Sequence, residues 1–119
     1  MANDTTDGAR AEALAACFLA ARGLRVLARN FRVRGGEIDL VCDDGGTLVF
    51  VEVRLRRHSD FGGAAASITK TKRQRLLLAA RHYLVLRPMA RCRFDCLLLS
   101  ALDESSIRWL RDAFSADDA

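Results

Sequence analysis

Apolar and polar positions alternate through "LRVLARNFRVRGGEIDLVCDD" (24–44) on both sides of Gly35-Gly36, which predicts two strands joined by a tight turn. Gly45-Gly46 marks a second tight turn. "TLVFVEVRLR" (47–56) is then a third strand, paired antiparallel with Glu37–Cys42 as a hairpin. Its apolar residues fall on both faces, the pattern of a strand covered on both sides. Ahead of these strands, "ARAEALAACFLAAR" (9–22) is rich in Ala and Leu and free of Gly and Pro. It predicts a helix ended by Gly23 and, being apolar nearly all round, one buried against a sheet.

After the third strand, "RHSDFGGAAAS" reads as a loop. Ser67 or Thr69 is placed to cap a helix from about Lys70 to Leu86, with Leu76, Leu77, Ala80, Tyr83 and Leu84 on its apolar face. Pro88 stops it. "CRFDCLLLS" predicts another strand and "SIRWLRDAF" a last short one. The order helix, three strands, helix, strand, strand predicts an α/β fold, a small sheet with helices on its faces. One domain is expected over residues 9–114, between a flexible N-terminus (1–8) and a flexible acidic tail (115–119).

The 119 residues, half of them hydrophobic, suit one domain with a modest core. No apolar run is long enough to span a bilayer. "MANDTTDGAR" has no basic region followed by an apolar stretch, so neither a membrane span nor a secretory signal is expected. Cys17, Cys42, Cys92 and Cys96 form no Cys-x-x-Cys pair and no disulfide framework. They are expected to be buried free thiols of a cytoplasmic protein.

The net charge of +4 is modest, but its distribution is uneven. Between Arg54 and Arg93 the only acid is Asp60, against eleven basic residues. Glu37, Asp39, Asp43, Asp44 and Glu52 lie just before this span. A basic half beside an acidic cluster points to a polyanionic partner, with nucleic acid first. An Arg-rich solvated surface accounts for the same composition.

Asp39 and Glu52 both interrupt apolar patterns on neighbouring strands. An isolated charge there costs several kcal/mol or shifts its pKa, as an order of magnitude. Two converging carboxylates can hold a hard divalent cation, and Mg²⁺, which keeps much of its water, needs only one or two. The bland alternative is an ion pair of Glu52 with Arg54 or a cross-strand Arg, and Asp39 at a solvated edge. The spacing Asp-x(12)-Glu-x-Arg alone does not decide between them. Glu12 is a third candidate ligand, or a first-turn acid favoured by the helix macrodipole. His58 and His82 have no spacing suited to a triad or a metal.

"RNFRVRGGEIDLVCDDGGTLVFVEVRLR", with Phe61-Gly62 beyond it, resembles the YraN-like family of small bacterial proteins, and "KTKRQRLLLAARHYL" and "RFDC" resemble its later helix and strand. That family is regarded as related to Holliday junction resolvases and other restriction-endonuclease-like nucleases. The resemblance implies a restriction-endonuclease-like core, a central mixed sheet flanked by helices. It implies a divalent metal, Mg²⁺ or Mn²⁺, held by Asp39 and Glu52, with Glu12 matching the family's first-helix Glu. Arg54 stands where the family has Lys, and Ala11 where it has Gly. A guanidinium stays protonated, so Arg54 can bind a phosphate and stabilise charge but cannot act as a base.

The function expected is metal-dependent hydrolysis of a DNA phosphodiester, with branched DNA added to the candidate substrates by family analogy. Asp39, Glu52 and Arg54 are its catalytic residues, and Arg56, Arg57, Lys70, Lys72, Arg73 and Gln74 its nucleic-acid contacts. A homodimer is plausible because resolving a junction needs two cuts. The alternatives are a non-catalytic nucleic-acid-binding protein of the same fold, which Arg54 favours, and a protein-interaction module.

Overall fold

The computed structural model describes residues 6–56 and 69–115. Helix α1 (Asp7–Ala21) is followed by strands β1 (Arg25–Val33), β2 (Gly36–Asp44) and β3 (Thr47–Leu55). Helix α2 (Lys70–Leu84), β4 (Arg91–Leu99), a 3₁₀ turn at Glu104–Ser106 and β5 (Arg108–Phe114) complete the chain. The five strands form one mixed sheet in the order β1-β2-β3-β4-β5. All neighbours are antiparallel except β3 and β4, which run parallel because α2 crosses over between them. This is the α/β layout expected from the sequence, a mixed sheet flanked by helices.

Strand β3 shows why both faces are apolar. Leu48 and Phe50 pack on the α2 side with Ile38, Leu76, Ala80 and Phe94. Val49, Val51 and Val53 pack on the α1 side with Phe18, Leu19, Leu40 and Leu97. The period of two then carries Glu52 and Arg54 onto the α2 side.

Helix α1 lies against the sheet as expected, but along one stripe although it is apolar nearly all round. Only Ala11, Ala15, Phe18 and Leu19 are buried, one stripe of a helix whose far side faces solvent. Among the described residues each sheet face has one covering helix, and none lies outside α1 to bury its remaining alanines. The thiols also divide: Cys42 and Cys96 are buried and free, while Cys17 on the outer face of α1 and Cys92 near the start of β4 are exposed. Helix α2 is capped by Thr69, whose hydroxyl accepts the Lys72 N–H at 3.2 Å, and it ends at Leu84, two residues before the predicted end. No helix among the described residues is long and apolar enough to cross a membrane.

The two turn glycines have separate jobs. Gly35 takes the left-handed conformation of the turn, with φ +82°. Gly36 is buried, and a Cβ there would lie 2.6 Å from the Arg75 carbonyl oxygen and 3.0 Å from the Ala79 nitrogen. Its bare Cα lets α2 lie directly on β2, which brings the start of α2 over the end of β3.

Candidate functional site

The site forms where β2 and β3 part. Their pairing runs from Asp44↔Thr47 to Leu40↔Val51. β3 continues beside β4 as far as Leu55↔Leu99. At Asp39 the alternation of β2 also slips, because Ile38 and Val41 both face α2 while Leu40 faces α1. Across β1 the residue at that level, between the pairs Arg29↔Leu40 and Phe31↔Ile38, is Asn30, held at φ 53°. The Asp39 carboxylate enters the split and its Oδ2 accepts the Val53 N–H at 2.8 Å. It takes a donor that a backbone carbonyl would otherwise satisfy.

Asp39 therefore does not sit at a solvated edge, and it meets Glu52. The two side chains are within hydrogen-bonding reach, which favours the proton on Glu52 over Asp39. Burial, and then the charge of Asp39, push Glu52 up to about 7 from an ordinary 4.5. Burial also raises Asp39; the Val53 N–H pulls the other way, and the charge of Glu37 adds to the rise. A pair of acids that cannot both ionise cheaply is the arrangement a cation relieves.

Around this pair lies a cleft of about 510 Å³ lined by Gly8, Ala11, Glu12, Glu37, Asp39, Glu52, Val53, Arg54, Leu55, Lys72 and Arg75. The early turns of α1 and of α2 both border it. The α1 and β2 side is acidic, with Glu12, Glu37 and Asp39, and the α2 side is basic, with Lys72 and Arg75. Arg54 lies 3.9 Å from Glu52 through Nη1, so the expected ion pair exists, though long, beside the carboxylate pair. Its Nε is buried without a hydrogen-bond partner. The Lys72 ammonium is lowered from its ordinary value by burial first and then by the charge of Arg54, with Glu52 opposing.

Glu12 is the sixth residue of α1, beyond the first turn, where the acid is Asp7. Asn30 hydrogen-bonds its side chain, and burial followed by the charge of Asp39 raises its pKa. Among the described residues no group of three or more His, Cys, Asp and Glu side chains is gathered as a ready-made cage. The donor set fits a cation held by two carboxylates and otherwise hydrated, which is the habit of Mg²⁺.

Of the expected nucleic-acid contacts, Lys72 lines the cleft. Lys70, Arg73 and Gln74 share its end of α2, and Arg56 is exposed just past β3. Arg57, His58 and Phe61-Gly62 lie outside the described residues. Sequence reasoning missed Asn30, whose left-handed backbone sits opposite Asp39, and Arg75, one helical turn beyond Lys72. An Asn interrupting an alternating strand was the available signal for the first.

Fold and site together define a small α/β protein of nuclease-like layout, with two carboxylates converging at a split in its sheet. The chain belongs to the uncharacterised protein family UPF0102, whose family model matches residues 11–99, and this is the YraN-like family that the motifs resemble. A UPF0102 protein of Dechloromonas aromatica is 60% identical over 119 residues, 98% of this chain and 97% of the relative. One of Methylobacillus flagellatus is 58% identical over 109 residues, 92% and 96% of the two chains. One of Nitrosospira multiformis is 50% identical over 111 residues, 92% and 93%.

Proposed function

We propose that this protein is a metal-dependent endonuclease that hydrolyses DNA phosphodiesters, branched DNA among its candidate substrates. The observation that carries the reading is the Asp39–Glu52 pair, brought together in a cleft whose other wall is basic. Asp39 and Glu52 would hold Mg²⁺ or Mn²⁺, with Glu12 close enough to act on the cation's waters. The bound ion would supply an activated water and neutralise charge on the phosphate. The Val53 N–H fixes one oxygen of Asp39. Arg54 stabilises the charge that builds on the phosphate oxygens. Arg56, Lys70 and Arg73 extend the basic wall along which a strand would run, with Gln74 as a neutral hydrogen-bonding contact. A pair of copies would make the two cuts a junction requires. The buried free thiols Cys42 and Cys96 suit a reducing cytoplasm.

A second reading is favoured by Arg54 itself: a nucleic-acid-binding protein that keeps the site without turnover. Purified protein incubated with branched, single-stranded and duplex DNA in Mg²⁺, Mn²⁺ or EDTA separates the two. The nuclease cuts only with the cation, and Asp39→Ala and Glu52→Ala each abolish cutting. Binding without cutting, tightened by the same two changes, supports the second reading and overturns the first.

A further inference from the structure

The exposed large hydrophobic residues among the described residues gather at one place. Val85, Leu86 and Met89 are 75%, 70% and 93% exposed and lie just past the end of α2. Single apolar side chains at a surface are ordinary, but neighbours in one stretch make a patch. Tyr83 and Leu84 still pack against the core on the α2 side of the sheet. Beyond them the chain turns back toward β4, and the next apolar side chains stand in solvent. The backbone that carries them is held. The N–H groups of Val85, Leu86, Arg87 and Ala90 donate to the carbonyls of His82, Tyr83, Leu84 and Arg87 at 3.0 to 3.3 Å. Val85 keeps helical dihedrals, φ −58° and ψ −31°. Spacings of three and four along such turns set Leu86 and Val85 beside Met89. The surroundings are basic: Arg81, Arg87 and Arg91 are exposed, and the sequence has no acid between Asp60 and Asp95. None of these three arginines is in an ion pair among the described residues.

We propose that Val85, Leu86 and Met89 are the docking patch for an amphipathic helix of another protein, apolar along one stripe and acidic beside it. The stripe covers the three side chains, and its carboxylates meet Arg81, Arg87 and Arg91. Methionine and arginine are residues that such interfaces favour. Charge decides against a second copy on the same patch, because a two-fold contact sets arginine against arginine with no acid in the segment to separate them. A bilayer gains little: the three side chains together hold fewer carbons than one myristoyl chain, which alone binds only marginally. A nucleic-acid strand uses the arginines but not the apolar side chains, and none of the three is an aromatic ring on which a base stacks. A patch this small suits a weak, reversible contact rather than a permanent one. It is also apart from the cleft. Leu84 ends α2 twelve residues beyond Lys72, about 18 Å along the helix axis, so docking leaves Asp39 and Glu52 uncovered. The proposal does not rest on the nuclease reading.

The test is fluorescence anisotropy with synthetic helical peptides at about 0.15 M salt, where exposed charges are screened. One peptide combines leucines with glutamates, a second leucines with lysines, and a third serines with glutamates. The wild type binds the Leu/Glu peptide about tenfold or more tightly than either of the others. Leu86→Ser combined with Met89→Ser, and separately Arg87→Glu, each weaken that binding about tenfold. Arg34→Glu changes the net charge as much as Arg87→Glu but lies in the β1–β2 turn, and it leaves binding unchanged. Unfolding midpoints of the variants match the wild type, because the replaced side chains stand mostly in solvent. Equal binding of the Leu/Glu and Ser/Glu peptides overturns the proposal, as does a folded double variant that binds like the wild type. Sedimentation that shows a dimer which the double variant breaks overturns it in favour of a second copy. Flotation with phosphatidylglycerol vesicles that the double variant abolishes overturns it in favour of a lipid surface.

Discussion

Two carboxylates are driven into this sheet at matching places, and they end in opposite states. Asp39 and Asp95 each sit at an irregularity in strand pairing, and each accepts a backbone N–H from a neighbouring strand: Val53 at 2.8 Å and Asp112 at 2.8 Å. Each is close to one of the two non-glycine residues of positive φ among the described residues, Asn30 and Asp112. There the likeness stops. Asp95 is fully buried and also receives Arg93 Nε at 3.0 Å and Trp109 Nε1 at 2.9 Å. Arg93 reaches on to Asp44 at 2.9 Å, so the charge is neutralised inside the protein. Asp39 instead meets a second acid. A carboxylate satisfied by its own chain locks β5 to β4. A carboxylate paired with another leaves a deficit that an external cation can fill.

The sharpest way to break this contrast is to remove the satisfied partner. Asp95→Ala strands Arg93, the Trp109 N–H and the Asp112 N–H, and is expected to destabilise by about 3–5 kcal/mol. Urea unfolding measures it, and a loss under about 1 kcal/mol would mean that Asp95 is not a structural centre.

Glu52→Gln should act with the opposite sign. Its folded pKa of about 7 lies above the ordinary 4.5 of an unfolded chain. Below the unfolded value both states are protonated and the group costs nothing. As pH rises from there to the folded value the unfolded chain ionises first, so stability falls, and the penalty is complete above about 7. At about 1.4 kcal/mol per pH unit the full effect is on the order of 3 kcal/mol. In EDTA the Gln variant is therefore expected to be more stable by about 1–3 kcal/mol at about pH 8 and to lose this slope. Unfolding at acid and alkaline pH checks both.

Gly36→Ala tests what brings the two walls together. A methyl 2.6 Å from the Arg75 carbonyl must push α2 off β2. Overpacking of this kind costs about 1–3 kcal/mol. Oligonucleotide binding should weaken with it, because Lys72 moves with the helix. The smallest effect is expected at Asn30→Gly, which keeps the left-handed backbone and loses only the hydrogen bond to Glu12. Stability should change by less than about 0.5 kcal/mol, read as a shift in unfolding midpoint.

The strands and helices were legible because periods of two and of 3.6 are local properties. The Asp39–Glu52 pairing was legible as two interruptions on strands joined by a Gly45-Gly46 turn. The manner of their meeting was not. The slip at Asp39 depends on Asn30 in β1, and the ending of the β2–β3 ladder depends on β3 staying with β4, a contact some forty residues away in sequence. Gly36 read as a turn residue because its real constraint, the backbone of α2, is equally remote. The burial of α1 against the sheet was legible, but not which stripe meets it, because alanine is indifferent to exposure and only Ala11, Ala15, Phe18 and Leu19 are buried. Asp95 drew no notice at all, since one Asp in "RFDC" does not reveal that Arg93 and Trp109 close on it.

The claim that one centre is complete and the other awaits a cation is tested most directly by calorimetric titration of Mn²⁺ into the free protein at about pH 8, where Glu52 has given up its proton. The account predicts a binding isotherm in the wild type that Asp39→Asn and Glu52→Gln each abolish, and protons released on binding when the titration is repeated at about pH 6. An absence of Mn²⁺ binding in the wild type, or binding that survives both substitutions, would contradict it.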